Sequence, residues 1–478
     1  MPASRPHILL LVLDAARRDA LAPYDPSAAT PTFAALARRG VAIEHAYATA
    51  SWTLPSHVAM FTGELAGPLG LDQAPGGDPR SVAATLAPRA ERLLAARLAA
   101  AGYATHGLSA NLWVSPHSGL DAGFASFDYV ASARLDGAVR AGAGRLRAGL
   151  TWAREGLRAR DDDGARELGR RLARMIGDCA PQTPQFWFVN LVEAHSPYLP
   201  PRPYDDLPAR ARVAAARDCA RLLTFESICV AAAGGLALPA EVMARLAHLH
   251  RRCVVSMDSW LAGVLALLRR RGMLDDTLVI VTSDHGESFG EAGRLAHGFG
   301  VGDELIRVPL IAAGPGAEHF AETTGALSLR ELPGRIARAA GLAGDLFGPP
   351  GDGIAMARAA AICPPDDPRM VAFAERWSLS PAQVRRLAAD RWAVSDGTLT
   401  VRGGDDDPRP PALPGHLAAA AAMVRSAAGT ATPAALDAAA PAAATLGGAV
   451  AGDAGLAGAT EDPAVADLER QMRLLGYM

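Results

Sequence analysis

His7-Ile8-Leu9-Leu10-Leu11-Val12-Leu13, running straight into Asp14, is the stretch that decides the fold. The six unbroken apolar residues after His7 fall far short of the ~20 needed to cross a membrane. They also lack the apolar–polar alternation of a strand with one wet face. A run of this length, rich in leucine and with β-branched members, reads as a parallel strand buried on both sides. Two more runs have the same form. Phe186-Trp187-Phe188-Val189-Asn190-Leu191-Val192 leads to Glu193 and His195, and Leu278-Val279-Ile280-Val281-Thr282 leads to Ser283-Asp284-His285-Gly286. In open α/β sheets, ligands bind just beyond the carboxyl ends of such strands. The three runs therefore gather Asp14, His195, Asp284 and His285 on one edge of one sheet, the outline of a metal-dependent active site. The fold class expected is α/β, with a mostly parallel central sheet flanked by helices.

At 478 residues the chain accommodates one large α/β domain with additions, or two domains. Half of it is hydrophobic and a fifth charged, and the formal net charge of −3 offers no whole-molecule attraction for nucleic acid or an anionic membrane, so neither is expected as a partner. All 47 basic residues are arginine. Without lysine there is no ammonium clamp for phosphate or sulfate, no lysine base and no Schiff base. The five cysteines (Cys179, Cys219, Cys229, Cys253, Cys363) have no CxxC spacing, so neither a disulfide framework nor a thiolate metal site is supported. No basic region or small-residue cleavage site accompanies the first apolar run, which reads as a strand and not as a signal peptide. A soluble cytoplasmic protein is expected.

Outward from the three runs, Thr32 to Arg39 is helix-like, Val41 to Tyr47 strand-like, residues 80–101 a single Ala/Leu-rich helix and Ala104 to Ala110 a further strand. Residues 131–178 are arginine-rich with helical periodicity and interrupt the β/α alternation, as an inserted helical cap would. A basic cleft is one reading of them; a solvated helix face laced with i,i+4 ion pairs is the commoner one. Residues 205–255 look helical, Val254 to Arg271 forms the helix before the Asp284 strand, and Arg307 to Ala313 reads as a strand. Trp392-Ala393-Val394 and Thr398-Leu399-Thr400-Val401 flank Ser395-Asp396-Gly397 as a hairpin. The organisation expected is a catalytic domain over 1–350 with the 131–178 insertion, a smaller C-terminal region over 351–426, an Ala/Gly/Pro-rich linker over 427–463 and an amphipathic helix over 464–478.

Ser51-Trp52-Thr53-Leu54-Pro55-Ser56-His57 precedes Val58 to Thr62 and Gly63. Proline in a first turn and glycine after a last one mark a helix that begins near Thr53. Free N–H groups and the dipole there favour an alkoxide or a bound oxyanion. A threonine hydroxyl is a weak nucleophile until a metal activates it; taken alone, a threonine at this place is more often only a cap. Asp14 with Asp284 and His285 supplies two carboxylates and an imidazole for a divalent ion. Adjacent side chains point to opposite faces within a strand, but Gly286 supplies a break at which Asp284 and His285 can converge. The same pair also suits a turn that caps a helix. His195 and His297 are the histidines placed to bind a transferring oxyanion or to protonate a leaving group.

Together these segments resemble the sulfatase branch of the alkaline phosphatase superfamily. Leu13-Asp14-Ala15-Ala16-Arg17-Arg18-Asp19 is similar to that branch's DxxRxD start, and Trp52 to His57 with Met60-Phe61-Thr62-Gly63 to its nucleophile element. Gly102-Tyr103-Ala104-Thr105, Asn111, Gly119-Leu120 and Gly123-Phe124 follow in the expected order. His195-Ser196-Pro197-Tyr198 resembles the HxPY element; Asp258, Asp284 to Glu287, His297-Gly298 and Arg307-Val308-Pro309-Leu310 complete the set, and Arg473 to Tyr477 resembles the C-terminus of some members. The likeness is dense over residues 6–345. It implies an alkaline-phosphatase-like sandwich, one divalent metal ion held by Asp14, Asp284, His285 and the Thr53 hydroxyl, and a covalent Thr53 intermediate. It also implies that His195 and His297 handle the substrate oxygens, with Arg17, His57 and Asn111 on the substrate side.

The departures narrow the function. Sulfatases proper convert Cys or Ser of a (C/S)xPxR motif to formylglycine; here Thr53 stands at the nucleophile and His57 at the arginine. Ala15 occupies the place of a second aspartate at strand one, and the active-site lysines are absent. An Asp/His donor set suits Zn²⁺ or Mn²⁺ better than Ca²⁺ or Mg²⁺. Threonine nucleophiles in the superfamily belong to phosphodiesterases, phosphonate monoester hydrolases and phosphoglycerol or phosphoethanolamine transferases. The expected activity is therefore cleavage or transfer of a small phosphate ester through Thr53. Sulfate-ester hydrolysis without formylglycine is the first alternative, and a degenerate binder, for which Ala15, His57 and Ala292 speak, is the second.

Overall fold

The computed structural model describes residues 5–73, 77–130, 162–180, 182–322, 325–342, 346–348, 351–406 and 412–426. Seven strands build the main sheet: β1 (His7–Leu13), β2 (Gly40–Ala42), β3 (Ala104–Ser109), β4 (Ser126–Tyr129), β5 (Gln185–Leu191), β6 (Thr277–Thr282) and β7 (Leu310–Ala313). Their order across the sheet is β2-β7-β6-β1-β5-β3-β4, and only β7 runs against the others. β1 lies at the centre, parallel to β5 on one side and β6 on the other. All seven of its residues are buried, as the unbroken apolar run requires.

Alternation along β1 feeds two cores. Leu9, Leu11 and Leu13 join Trp187, Val189, Val279 and Val281 beneath the helices Pro31–Arg39, Ala165–Asp178 and Ala240–Arg270. Ile8, Leu10 and Val12 join Phe186, Phe188, Leu278 and Ile280 beneath the helices Thr53–Thr62, Leu94–Ala100 and Leu332–Ala339. The result is a helix–sheet–helix sandwich of the kind expected. Register sets the active edge. Leu13 pairs with Leu191 and Val12 with Thr282, so the three apolar runs end level with one another.

Several element boundaries differ from the sequence reading. The stretch 41–47 is two strands: Gly40–Ala42 pairs with β7, whereas Ala46–Tyr47 crosses to a second sheet and pairs with Leu327–Ser328. Residues 80–101 break into the helix Pro79–Leu86, a 3-10 turn Ala87–Arg92 and the helix Leu94–Ala100, because Pro88 lacks the N–H that would continue the first helix. The strand expected from Arg307 begins only at Leu310, after Pro309, which cannot donate to a ladder. The helical stretch 205–255 is the helices Ala209–Leu222 and Phe225–Ala232 and the start of the 31-residue helix Ala240–Arg270; the Thr224 side chain caps the second. Of the expected cap over 131–178, residues 131–161 lie outside the described residues. Its described end, Ala165–Asp178, buries Leu168, Leu172 and Ile176 in the sandwich. The linker 427–463 and the helix 464–478 also lie outside the described residues. The hairpin is present as Arg391–Ser395 and Thr400–Gly404, extended by a third strand, Ala355–Ala359. Among the described residues no helix is long and apolar enough to cross a membrane.

Candidate active site

β1 and β6 end side by side, and the turns that follow them face each other. The Ser283 hydroxyl donates to the Leu13 carbonyl at 2.6 Å and ties the two turns together. Ala15 adopts a left-handed conformation (φ 58°), strained for a residue with a Cβ. Its N–H reaches Asp284 Oδ1 at 3.2 Å, and its carbonyl accepts from His250 Nε2 at 3.0 Å. Beyond His285 the chain passes so close to the Glu304 carbonyl that a Cβ on Gly286 would lie 2.0 Å from it. Glycine is the residue that lets the turn close, and it is what brings Asp284 and His285 to one point.

At that point three lone pairs are left over. Asn111 donates to Asp14 Oδ2 at 2.7 Å, with Asn190 behind it at 3.5 Å, while Asp14 Oδ1 is buried without a partner. Asp284 Oδ1 accepts from the Ala15 and His285 amides; its Oδ2 is likewise buried and unpartnered. His285 Nδ1 lies 2.9 Å from the Gly286 carbonyl and must donate to it, which leaves Nε2 as a bare acceptor. That nitrogen is 3.7 Å from Asp14 Oδ1, 3.5 Å from Asp284 Oδ2 and 3.4 Å from Thr53 Oγ1. Ligand atoms of Asp14, Asp284 and His285 all lie within 4.8 Å of one another. Orphaned buried acceptors are rare because each forgoes its hydration. Two carboxylates and a bare imidazole nitrogen converging in this way fit a divalent cation.

Thr53 is the first residue of its helix, and Trp52, not Thr53, occupies the capping position. The hydroxyl caps nothing; it faces His285 Nε2 and Asn111 Nδ2, each at 3.4 Å. One turn on, His57 donates from Nδ1 to the Thr53 carbonyl at 2.9 Å. It lies behind the cluster, 3.5 Å from Asp284 Oδ2 and edge-on to Phe188. Burial pushes it down to about 3, so it is neutral there. His57 thus backs the cluster.

Burial dominates the electrostatics. It lifts Asp14, with help from Asp284, to about 6 and Asp284 to about 7, and drives His285 down to about 3. Both carboxyls titrate higher in the folded chain than the ~3.9 of an unfolded aspartate. Their contribution to stability is fully present below pH ~4 and is lost as pH rises through 6 and 7. A cation relieves the same repulsion. The melting temperature gained on adding a divalent ion should therefore grow from pH 5 to pH 8; melts with and without the ion check this, and a gain that stays flat would count against the carboxylate pair.

His195 and His297 stand beside the cluster, their ring centroids 4.8 Å apart, with His297 4.4 Å from His285. His195 Nδ1 donates to the Ser196 carbonyl at 2.7 Å, and His297 Nδ1 to Glu287 Oε1 at 2.8 Å. Burial opposes the His195 cation, but the Asp14 and Glu287 carboxylates outweigh it and hold this group above its ordinary value. Burial, and then His195 itself, keeps His297 well below its own. The two neighbouring imidazoles are thereby pushed in opposite directions.

Arg17 is not brought to this centre. Its guanidinium is held by Asp19 and Glu291, donates to the Glu287 carbonyl and lies over Phe289. Its guanidinium is engaged by these partners and not by Asp14, Thr53, Asp284 or His285. Asn111 donates to both Asp14 Oδ2 and Thr53 Oγ1. Sequence reasoning gave no role to Asn190 or Glu287. A lone amide inside the apolar β5 run was a usable signal for Asn190; Glu287, one residue past Gly286, shows its purpose only when His297 folds back on it.

A family model described as Sulfatase matches residues 6–342. The multifunctional alkaline phosphatase superfamily protein PehA of Trinickia caryophylli is 38% identical over 68 residues, 14% of this chain; the chain matches only 13% of that relative's length. Among solved structures, the phosphonate monoester hydrolase of Agrobacterium radiobacter superposes with a TM-score of 0.54 at 17% identity, over 88% of this chain and 94% of that one. The phosphonate monoester hydrolase SpPMH from Silicibacter pomeroyi gives 0.56 at 18% identity, over 88% and 94%. BT1596, a 2-O GAG sulfatase, gives 0.56 at 11% identity, over 88% and 90%. At these identities the structures share the fold and nothing finer. The family match is broader evidence, since it runs from the Asp14 strand to beyond the Asp284 turn, and by it the chain belongs to the sulfatase family of hydrolases, within the alkaline phosphatase superfamily.

Proposed function

We propose that the protein is a metal-dependent enzyme that cleaves a small phosphate or phosphonate ester, or transfers its phosphoryl group, through Thr53. The observation that carries this reading is the Thr53 hydroxyl at a helix N-terminus, capping nothing and 3.4 Å from His285 Nε2, the imidazole nitrogen that converges with the unpartnered Asp14 Oδ1 and Asp284 Oδ2. Asp14, Asp284, His285 and Thr53 would hold the ion, with Zn²⁺ or Mn²⁺ favoured by the Asp/His donor set. Such an ion supplies Lewis-acid polarisation and lowers the pKa of a bound hydroxyl.

The remaining chemistry is done by the chain. Thr53 reacts as its alkoxide, its proton having passed to solvent, and the Asn111 amide 3.4 Å away stabilises that charge. The bond from Thr53 Oγ1 to phosphorus forms while the bond from phosphorus to the departing oxygen breaks. The Nε2 proton of His195 goes to that oxygen, and the free N–H groups of the Thr53 helix face the phosphoryl oxygens. Water, losing a proton to the now neutral His195, then attacks phosphorus and releases Thr53; an alcohol in its place gives transfer. His297, fixed by Glu287, presents a neutral Nε2 to a substrate hydroxyl.

Phosphorus is favoured over sulfur on three counts. Threonine is not converted to formylglycine, the chain has none of the lysines that sulfatases use, and His57 stands where their motif has arginine. Sulfate-ester hydrolysis is the competing reading, since the family model and BT1596 carry that name. Aryl phosphate, aryl phosphodiester, aryl phosphonate and aryl sulfate should be assayed side by side with the Mn²⁺- and Zn²⁺-loaded protein. A phosphorus ester is expected to be turned over at least about 100-fold faster than the sulfate, some 2.7 kcal/mol in transition-state binding. Preference for the sulfate would overturn the assignment.

A further inference from the structure

The far end of the Thr53 helix opens on a cavity of about 530 Å³, floored by Thr62 and Gly63. Ten helical residues, at 1.5 Å each, place it about 15 Å from the Thr53 end. Arg92, Arg97, Arg330 and Arg338 line it. Other sheltered arginines of this chain are committed: Arg17 to Asp19 and Glu291, Arg335 to Glu331, Arg358 to Asp72 and Asp390. The four in the cavity are different. Among the described residues none of their guanidinium groups has an ion-pair partner or an acceptor, and the Nε atoms of Arg97, Arg330 and Arg338 are buried with their hydrogen bonds unmade.

Two simpler explanations of this cluster do not hold. The carbonyls at a helix C-terminus attract arginine by themselves, yet none of the four donates to those of Thr53–Thr62. Internal neutralisation fails as well. Glu331, on the same wall, is already held by Arg335 and the Ser328 amide; Glu64 and Asp352 sit exposed on the rim and pair with none of the four arginines. What remains, among the described residues, is a concave surface with a surplus of planar guanidinium donors and no acceptor engaging them. Guanidinium forks match the paired oxygens of carboxylate and phosphate alike, and four of them together favour the more highly charged phosphate. The volume lies in the usual range for small-molecule sites and exceeds what a bare phosphate fills.

We propose that this cavity is a second binding site, separate from Thr53, for a small organic molecule carrying a phosphate or diphosphate group. The assignment does not depend on what the Thr53 site hydrolyses. Inorganic phosphate is the probe. Calorimetric titration of the full-length, metal-loaded protein should show two phosphate sites. An Arg97→Gln/Arg338→Gln variant should lose one of them by at least about tenfold in affinity, while its turnover at the Thr53 site stays at the wild-type level. Wild-type and variant titrating alike would overturn the proposal. A reading that needs no variant comes from arginine modification of the wild-type protein by phenylglyoxal. Phosphate should slow the labelling of Arg97, Arg330 and Arg338 relative to chloride at equal ionic strength; equal labelling in the two salts would also overturn it.

Discussion

Thr53→Ala is expected to remove turnover, by at least about 10³-fold in kcat, while the protein keeps its fold and its ion. The size of the loss follows from what the hydroxyl does: without it no covalent step can begin, and only ground-state binding remains. The fold should survive because the Thr53 side chain caps nothing and alanine is the best helix former. The ion should stay because Asp14 Oδ1, Asp284 Oδ2 and His285 Nε2 are untouched. Thr53→Ser, which restores the hydroxyl, should recover most of the rate. Metal content, melting temperature and kcat on the preferred ester together make the test. A Thr53→Ala protein with undiminished kcat would exclude a threonine nucleophile.

Asp284→Asn should act in two directions at once. The amide keeps Oδ1 as acceptor for the Ala15 and His285 amides, and its new N–H₂ lies where Oδ2 was, 3.5 Å from the bare His285 Nε2. Without an ion this variant loses a buried negative charge and gains a hydrogen bond. Its metal-free melting temperature at pH 8 should therefore exceed that of the wild type. Towards the ion the change removes a ligand and a charge. Changes around first ligands already weaken metal sites by 10–100-fold, so at least about 100-fold is expected here, with turnover falling in step. A structural aspartate would behave in the opposite way, since losing it would lower the metal-free melting temperature and leave metal affinity alone. Calorimetry of both proteins, stripped and loaded, separates the two.

The sheet and the metal-type cluster were legible because both are written in local pattern. Three apolar runs ending in Asp14, His195 and Asp284-His285 require buried strands whose ends coincide, and the register places them level. Thr53 was legible from the proline and glycine that bracket its helix. The features that escaped depend on partners distant in sequence. Ala355-Met356-Ala357-Arg358-Ala359 has the composition of a helix, but pairing with Arg391–Ser395 makes it a strand. Arg17 has the look of an anion clamp until Asp19 and Glu291 are seen to hold it. The arginine cavity draws on residues 92, 97, 330 and 338, which no motif connects.

The place of β1 in the sheet has a consequence for how the molecule is made. It leaves the ribosome well before both of its neighbours, residues 185–191 and 277–282. Until Thr282 has emerged, a seven-residue apolar strand has at least one open edge, the kind of surface that aggregates or engages a chaperone. Asp14 and Thr53 wait equally long for Asp284 and His285. An ion taken up at this cluster would therefore bind late in synthesis, reporting that the central sheet has closed and not helping to close it.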